Sequence, residues 1–179
     1  DFYEGKWVHL QEYAPPATID PEAAETRLDE LIDATERALE IDRELIYVKQ
    51  RREQKDNDQY TKLASKGQLR IIREHNLMFF VNFTDYLDTG IFLDHRPVRK
   101  MLMEMAKDKR FLNLFSYTGT ATVHAAAGGA LSTVSVDASA TYLEWAMKNM
   151  KMNGFEGMNH FFYKSDCIDW LHQTYDTFD

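Results

Sequence analysis

The 179 residues include a single cysteine, Cys167. This excludes an intrachain disulfide and a cysteine-rich zinc site, and it fits a reducing cytoplasm. No apolar run approaches the roughly 18 residues that a membrane-spanning helix needs, so no membrane partner is expected. The first residues, Asp1 to Lys6, show no charged-then-apolar signal pattern. There is no internal repeat and no low-complexity tract. The six histidines have no metal-ligand spacing, and neither a Ser/His/Asp nor a Cys/His arrangement can be traced. What is present is enough for a folded core: 44% of residues are hydrophobic and 13% aromatic, which sets the chain apart from a disordered acidic tail.

The formal charge is −8, but it is unevenly placed. Residues 12–44 carry eleven acids against three arginines, a net −8 by themselves. Residues 49–73 carry eight bases against three acids, a net +5, and residues 94–110 carry six bases against three acids, a net +3. A net-acidic chain therefore keeps two basic stretches. The first of them, with Lys49, Arg51, Arg52 and Lys55, has two readings: a surface for nucleic-acid phosphates or a solvated polar segment.

Asp20-Pro21 signals a helix start, with an acceptor side chain at the N-cap and a fixed first φ. Ala24, Leu28, Leu31, Thr35, Ala38 and Leu39 then recur at helical spacing, predicting an amphipathic helix over 21–40 with an acidic outer face. Leu45 to Val48 reads as a strand, and 50–67 as a long polar connection. Gln68–Arg73 and Leu77–Phe83 read as a hairpin around Glu74-His75-Asn76. The first 90 residues thus form a small α+β module.

Beyond Gly90 the pattern changes. A helix from about Pro97 carries Val98, Met101, Leu102, Met105 and Ala106 on one face. Strands follow at 111–115, 131–136 and 160–164, each succeeded by a helix. The second helix is Ala-rich and ends at Gly128-Gly129. The third is capped by Ser139, shows Leu143, Ala146, Met147 and Met150 on one face, and ends at Asn153-Gly154. Alternation of this kind over 91–179 means βαβ units and a parallel sheet of the α/β, Rossmann-like class.

Ligands of an open parallel sheet bind beyond the carboxyl ends of its strands. There the sequence places Phe115, Ser116, Tyr117, Thr118, Gly119 and Thr120, then Asp137-Ala138, then Asp166-Cys167. Asp137 lies about 20 residues after the first turn, where one carboxylate can accept from both hydroxyls of a ribose; its other reading is a helix cap. Asp166 can accept from an exocyclic amino group such as adenine's, or cap the next helix. A pyrophosphate site needs a Gly-x-Gly-x-x-Gly turn. This turn has one glycine beside the bulky Tyr117, which favours an adenosine-type ligand without phosphates, its acidic end held by backbone N–H groups at a helix start.

These residues carry a resemblance. Asp88–Arg96 (DTGIFLDHR), Phe111–Gly119 (FLNLFSYTG), Val136-Asp137 with Thr141–Trp145, and Asp166-Cys167 resemble the class I ribosomal RNA methyltransferases. With Gln11–Pro16 and Asn82–Asp88 added, the chain is similar to the guanine-N7 half of the bifunctional 23S ribosomal RNA methyltransferases, over nearly its whole length. The resemblance implies S-adenosyl-L-methionine as cofactor and 23S ribosomal RNA as partner. It implies that Ser116 to Thr120 hold the methionine end, Asp137 the ribose and Asp166 the adenine amino group. It implies too that Leu93-Asp94-His95-Arg96 line the methyl end, with Arg96 forked onto the cofactor carboxylate. From spacing alone, Asp94 and Arg96 read as an ion pair at a helix start, and Cys167 as a small packing residue.

Guanine N7 offers a lone pair and loses no proton, so no general base is formally required for its methylation. In the family, the fourth strand ends in an Asp-Pro-Pro type loop that lies against the target base, whereas this chain stops at Phe178-Asp179. The expectation is a segment of a longer polypeptide, with catalytic residues beyond Asp179. The rest of that polypeptide, including a second methyltransferase half, would be its partner, and the isolated segment would be inactive. Two alternatives stay open on the residues alone: a nucleotide-dependent oxidoreductase of doubly wound fold, and a non-catalytic RNA-binding module.

Overall fold

A computed structural model describes residues 1–51 and 67–179. The chain divides into two compact units, Asp1–Gln68 with Asn82–Thr89, and Leu69–Val81 with Gly90–Asp179.

In the first unit, β1 (Phe2–Tyr3) pairs antiparallel with β2 (Trp7–Tyr13), and β2 pairs in parallel with β3 (Ile46–Arg51), Val8 opposite Ile46. The helix α1 (Pro21–Leu39) makes the crossover. The unit is therefore a βαβ element with an added edge strand, and β2 is the strand that the sequence reading left out. Val8, Ile32 and Ile46 form its core, with Leu10, Leu28, Ile41 and Val48 packed around them. The buried stripe of α1 runs through Ala24, Leu28 and Ile32, and Leu31 and Leu39 are exposed instead. A helix that covers one parallel strand pair needs only a narrow stripe, so the expected face was right in phase at its start and one residue off further along. Asp20 occupies the N-cap with extended backbone, but its side chain makes no capping bond.

The second unit holds the hairpin β4 (Leu69–Glu74) and β5 (Leu77–Asn82). His75 and Asn76 between them have φ of 51° and 66°, the left-handed pair of a type I′ turn. The remaining elements alternate: α2 (Arg96–Met105), β6 (Arg110–Leu114), α3 (Thr120–Ala127), β7 (Ser132–Asp137), α4 (Ala140–Met152), β8 (His160–Lys164) and α5 (Cys167–Gln173). Strands β6, β7 and β8 form a parallel sheet in that order, as the alternating pattern requires. Val134, Val136 and Cys167 make a core on it with Leu112, Leu114, Trp170 and Phe178.

Two expectations are corrected here. The hairpin, assigned by sequence to a module over 1–90, belongs with the parallel sheet's unit, because Trp145, Asn149 and Asn153 of α4 hydrogen-bond to its backbone. Helix α2 does not bury Val98, Met101 and Met105, which are all exposed; it buries Arg99. The reason is a charge partner in the hairpin, Glu74, which a hydropathy pattern cannot register.

Candidate functional site

The turn from β6 into α3 sits at the carboxyl ends of the parallel strands. Phe115, Tyr117 and Gly119 have φ of 53°, 50° and 69°, and Ser116 and Thr118 between them are not left-handed. Such alternation makes a tight turn, most of whose backbone N–H groups are bonded within the protein. Two left-handed non-glycine residues cost about 1–3 kcal/mol each and persist only where their surroundings over-determine them. Here they do. The N–H of Phe115 donates to Cys167 Sγ at 3.1 Å, that of Ser116 to the Val136 carbonyl at 3.0 Å, and that of Tyr117 to Asp137 Oδ2 at 2.8 Å. The Thr118 hydroxyl donates to the Gly90 carbonyl at 2.5 Å, and its own carbonyl accepts from Asn149 Nδ2 at 2.9 Å. Gly119 has a second reason to be glycine, since a Cβ there would lie 2.7 Å from the Ala146 Cβ.

Ser116 is 5% exposed, and its Oγ has no hydrogen-bond partner among the described residues. A buried hydroxyl left in that state costs on the order of 1–3 kcal/mol unless something else meets it. Its place at the carboxyl ends of the parallel strands is where a polar ligand could meet it.

Asp137, 7% exposed, divides its carboxylate: Oδ2 accepts from Tyr117 and Oδ1 from the Ser139 N–H at 2.8 Å. It is not the cap of α4, because Ser139 fills that position and accepts from the Tyr142 N–H at 3.3 Å. A carboxylate has about four acceptor positions, so two backbone bonds leave capacity for a pair of hydroxyls. Ala138 beside it is exposed. Asp166 does cap a helix: its Oδ1 accepts from Ile168 and Asp169 at 2.8 and 3.1 Å, and the residue is exposed. Cys167 is 2% exposed, and burial pushes its thiol above the usual range. A buried thiol of that kind is a poor nucleophile; its structural task is to accept from Phe115 and pack on β7. Thr120 opens α3, and its carbonyl accepts from His124 Nδ1 at 2.7 Å.

The expected Asp94–Arg96 ion pair is absent. The Asp94 side chain is 80% exposed and nearest to His95, at 3.9 Å. Arg96 turns away and donates from Nε to Glu74 Oε2 at 2.9 Å. This belongs to a group the sequence reading missed. Glu74, almost wholly buried, takes a two-pronged contact from Arg99 at 2.6 and 2.9 Å, the bond from Arg96, and His124 Nε2 at 3.3 Å from Oε1. Burial works to raise the Glu74 carboxyl, but the bonds from Arg99, His124 and Arg96 outweigh it and hold the group well below the ordinary range. His75 Nδ1 lies 3.3 Å from His124 Nε2, so Glu74, His75 and His124 bring three potential metal ligands within 4.8 Å of one another. Two guanidiniums already face the carboxylate, however, and a divalent cation there meets their repulsion. The cluster is an ionic node, invisible to sequence because its members lie on four separate elements.

Of the basic residues expected to meet RNA, Lys49 donates to the Thr84 carbonyl at 2.5 Å, and Arg51 pairs with Asp88 and reaches Gln11 Oε1 at 3.2 Å. Both are engaged within the first unit. Arg52 and Lys55 lie outside the described residues.

Comparison with known proteins bears on this site. A family model described as S-adenosylmethionine-dependent methyltransferase matches residues 7–171. The ribosomal RNA large subunit methyltransferase K/L of Allochromatium vinosum is 52% identical over 173 residues, covering 96% of this chain and 24% of that protein. The protein of the same name from Methylococcus capsulatus is 49% identical over 178 residues, covering 98% and 24%. The chain therefore spans about a quarter of the length of these relatives. Among solved structures, the candidate methyltransferase SMU.776 complexed with SAH is 26% identical, with a TM-score of 0.72 over 95% of this chain and 42% of that one. A SAM-dependent methyltransferase from Agrobacterium tumefaciens is 26% identical, with a TM-score of 0.56 over 62% and 36%.

Proposed function

Because the chain belongs to the S-adenosylmethionine-dependent methyltransferase family, whose cofactor is S-adenosylmethionine, we propose that it forms the cofactor-holding part of an enzyme that methylates N7 of a guanine in 23S ribosomal RNA. The observation that carries the reading is the over-determined left-handed turn with the orphaned Ser116 hydroxyl inside it, at the carboxyl ends of a parallel sheet. The cofactor, when bound, supplies an electrophilic sulfonium methyl for in-line displacement.

The chain's own task is alignment, from which the largest rate gains of a two-reactant step come. Ser116, Tyr117, Thr118, Gly119 and Thr120 hold the methionine end, with the Ser116 hydroxyl and the N–H groups that open α3 meeting its carboxylate. Asp137 takes the ribose hydroxyls with its remaining acceptor positions, while its two backbone bonds keep it fixed. Asp166, rigid through its capping bonds, offers Oδ2 to the adenine amino group, and the exposed Phe115 and Ala138 border the site beside Cys167. Asp94 faces solvent, and two residues before it Phe92 packs on Tyr117 in a tilted pair with ring centroids 5.5 Å apart. Arg96 gives its Nε to Glu74 and keeps its terminal guanidinium nitrogens for the cofactor carboxylate.

The substrate part of the reading is supported by the two relatives named as ribosomal RNA methyltransferases at about half identity. The oxidoreductase alternative fails on the glycine spacing and on the family. The test is calorimetric: S-adenosylhomocysteine binds the chain, NAD does not, and Asp137→Ala and Ser116→Ala weaken the binding. The whole protein should then transfer labelled methyl to 23S ribosomal RNA at a guanine N7, located by its susceptibility to borohydride and aniline cleavage. Labelling at another atom, with cofactor binding intact, would overturn the guanine-N7 part alone.

A further inference from the structure

We propose that Asn149 is a positioning residue for the cofactor turn, tying it to the edge of the β4–β5 hairpin; this rests on reading Ser116–Thr120 as the cofactor-holding segment.

A two-stranded hairpin leaves one edge of β5 with unpaired N–H and C=O groups on alternate residues. Here that edge is met by a helix. Trp145 and Asn149 of α4 and its C-cap Asn153 recur every four residues, a rise of about 6 Å per step. Met78 and Phe80 are two residues apart along β5, about 6.6 Å. The two repeats nearly coincide, so the helix can address successive edge groups with side chains. Asn153 accepts from the Met78 N–H at 2.8 Å and donates to the Met78 carbonyl at 2.7 Å. Asn149 Oδ1 accepts from the Phe80 N–H at 2.9 Å, and Trp145 Nε1 donates to the Phe80 carbonyl at 3.1 Å. Side chains of α4 thus do for Met78 and Phe80 what a neighbouring strand would do with its backbone.

Asn149 differs from Asn153 in what its amide nitrogen reaches. It is 0% exposed, and its Nδ2 donates to the Thr118 carbonyl at 2.9 Å, in the middle of the left-handed turn. The hairpin edge requires only an acceptor from this residue; the Thr118 carbonyl requires a donor. A carboxamide satisfies both at once in a fixed geometry, which a carboxylate cannot. The Thr118 hydroxyl is held separately by Gly90, so Asn149 is the group that fixes the carbonyl side of the same peptide. One buried side chain thereby joins the segment read as holding the cofactor to the edge of the hairpin.

The experiment uses the full chain. Asn149→Asp keeps the acceptor for the Phe80 N–H, loses the donor and sets a carboxylate against the Thr118 carbonyl. Asn153→Asp makes the same chemical change on the same helix face and the same hairpin edge, without contact to the turn. Calorimetry with S-adenosylhomocysteine is expected to show a loss of affinity at least about tenfold greater for Asn149→Asp than for Asn153→Asp, the scale of one lost hydrogen bond, at melting temperatures lowered alike. Equal losses, or no loss in Asn149→Asp, overturn the proposal. A second measurement needs no variant. Linkage is reciprocal, so saturating S-adenosylhomocysteine should slow amide exchange at Phe80 in the unaltered protein. Unchanged exchange there, with the ligand bound, overturns the proposal even where Asn149→Asp does not fold. If the unaltered protein fails to bind S-adenosylhomocysteine at all, the cofactor reading of the turn falls, and the proposal with it.

Discussion

The carboxylate of Asp137, at the end of β7, accepts the backbone N–H of Tyr117, at the end of β6, across 2.8 Å. The residue proposed to read a ribose therefore also holds the conformation of the neighbouring turn.

Replacing it should separate the two tasks. Asp137→Asn keeps one oxygen for the Tyr117 or Ser139 N–H and loses the charge; Asp137→Ala loses both bonds. Each unmet buried N–H costs about 1–3 kcal/mol, so Asp137→Ala should lower the midpoint of chemical denaturation clearly more than Asp137→Asn. Both should weaken S-adenosylhomocysteine by about tenfold or more in calorimetry. Retained affinity in both variants would remove Asp137 from the site.

Glu74 anchors the ionic node. Glu74→Gln leaves Arg99, 3% exposed, without its charge partner, which for a buried pair typically costs about 3–5 kcal/mol. The pH dependence follows from sign. The carboxyl is held below its ordinary 4.5 in the folded protein, so the unfolded chain binds the proton first as pH falls. The node's contribution is full above about pH 4.5 and is lost on acidification towards the folded value. Acid denaturation followed by circular dichroism should show this loss in the unaltered protein and a shallower slope in Glu74→Gln.

His9 supplies the opposite residue type with a slope of the same direction. Burial, then the positive charges of the N-terminus, Lys49 and Arg51, lower it from 6.5 to about 4, and its Nε2 has no hydrogen-bond partner among the described residues. Between these two values the unfolded chain binds a proton that the folded one refuses. Stability should therefore be full above about pH 6.5 and decline down to about pH 4. His9→Gln, which does not titrate, should flatten that interval in urea titrations at stepped pH.

Two glycines distinguish crowding from backbone strain. A Cβ at Gly128 would lie 2.0 Å from the Met103 carbonyl oxygen, where α3 meets α2. Backbone cannot swing aside, so Gly128→Ala should cost several kcal/mol and shift the helix pair. Gly154 has φ of 78° but open space around it, so Gly154→Ala should cost only about 1 kcal/mol. Comparable melting temperatures for the two variants would show that α2 and α3 do not approach so closely.

Much of this was readable from residues alone. The alternation of strand and helix after Gly90, the turn at Ser116–Thr120, Asp137 at the end of its strand and the Ser139 cap all follow from local pattern, because hydrophobic period and capping chemistry act over a few residues. The Asp166 ambiguity was resolved in favour of the cap without removing its second oxygen from use. What the pattern misplaced was always decided at a distance. That Arg96 bonds Glu74, 22 residues earlier, has no local sign. The α2 face was drawn through methionines because Arg99 carries no hydropathy signal for burial, yet a two-pronged carboxylate contact makes burial tolerable. Strand β2 was overlooked because its partner, β3, lies beyond a whole helix.

The sequence by itself determined the class of fold, the order of its elements and the adenosine-type character of the crevice, since these depend on spacing and side-chain chemistry. Only the tertiary structure decided that the hairpin belongs with the parallel sheet, that Glu74 gathers two arginines and a histidine, and that Asn149 reaches both Phe80 and Thr118. Each of these is a match between groups 22 to 75 positions apart. Their energy comes from burying polar atoms together, a condition that exists only after the chain has brought them within hydrogen-bond distance.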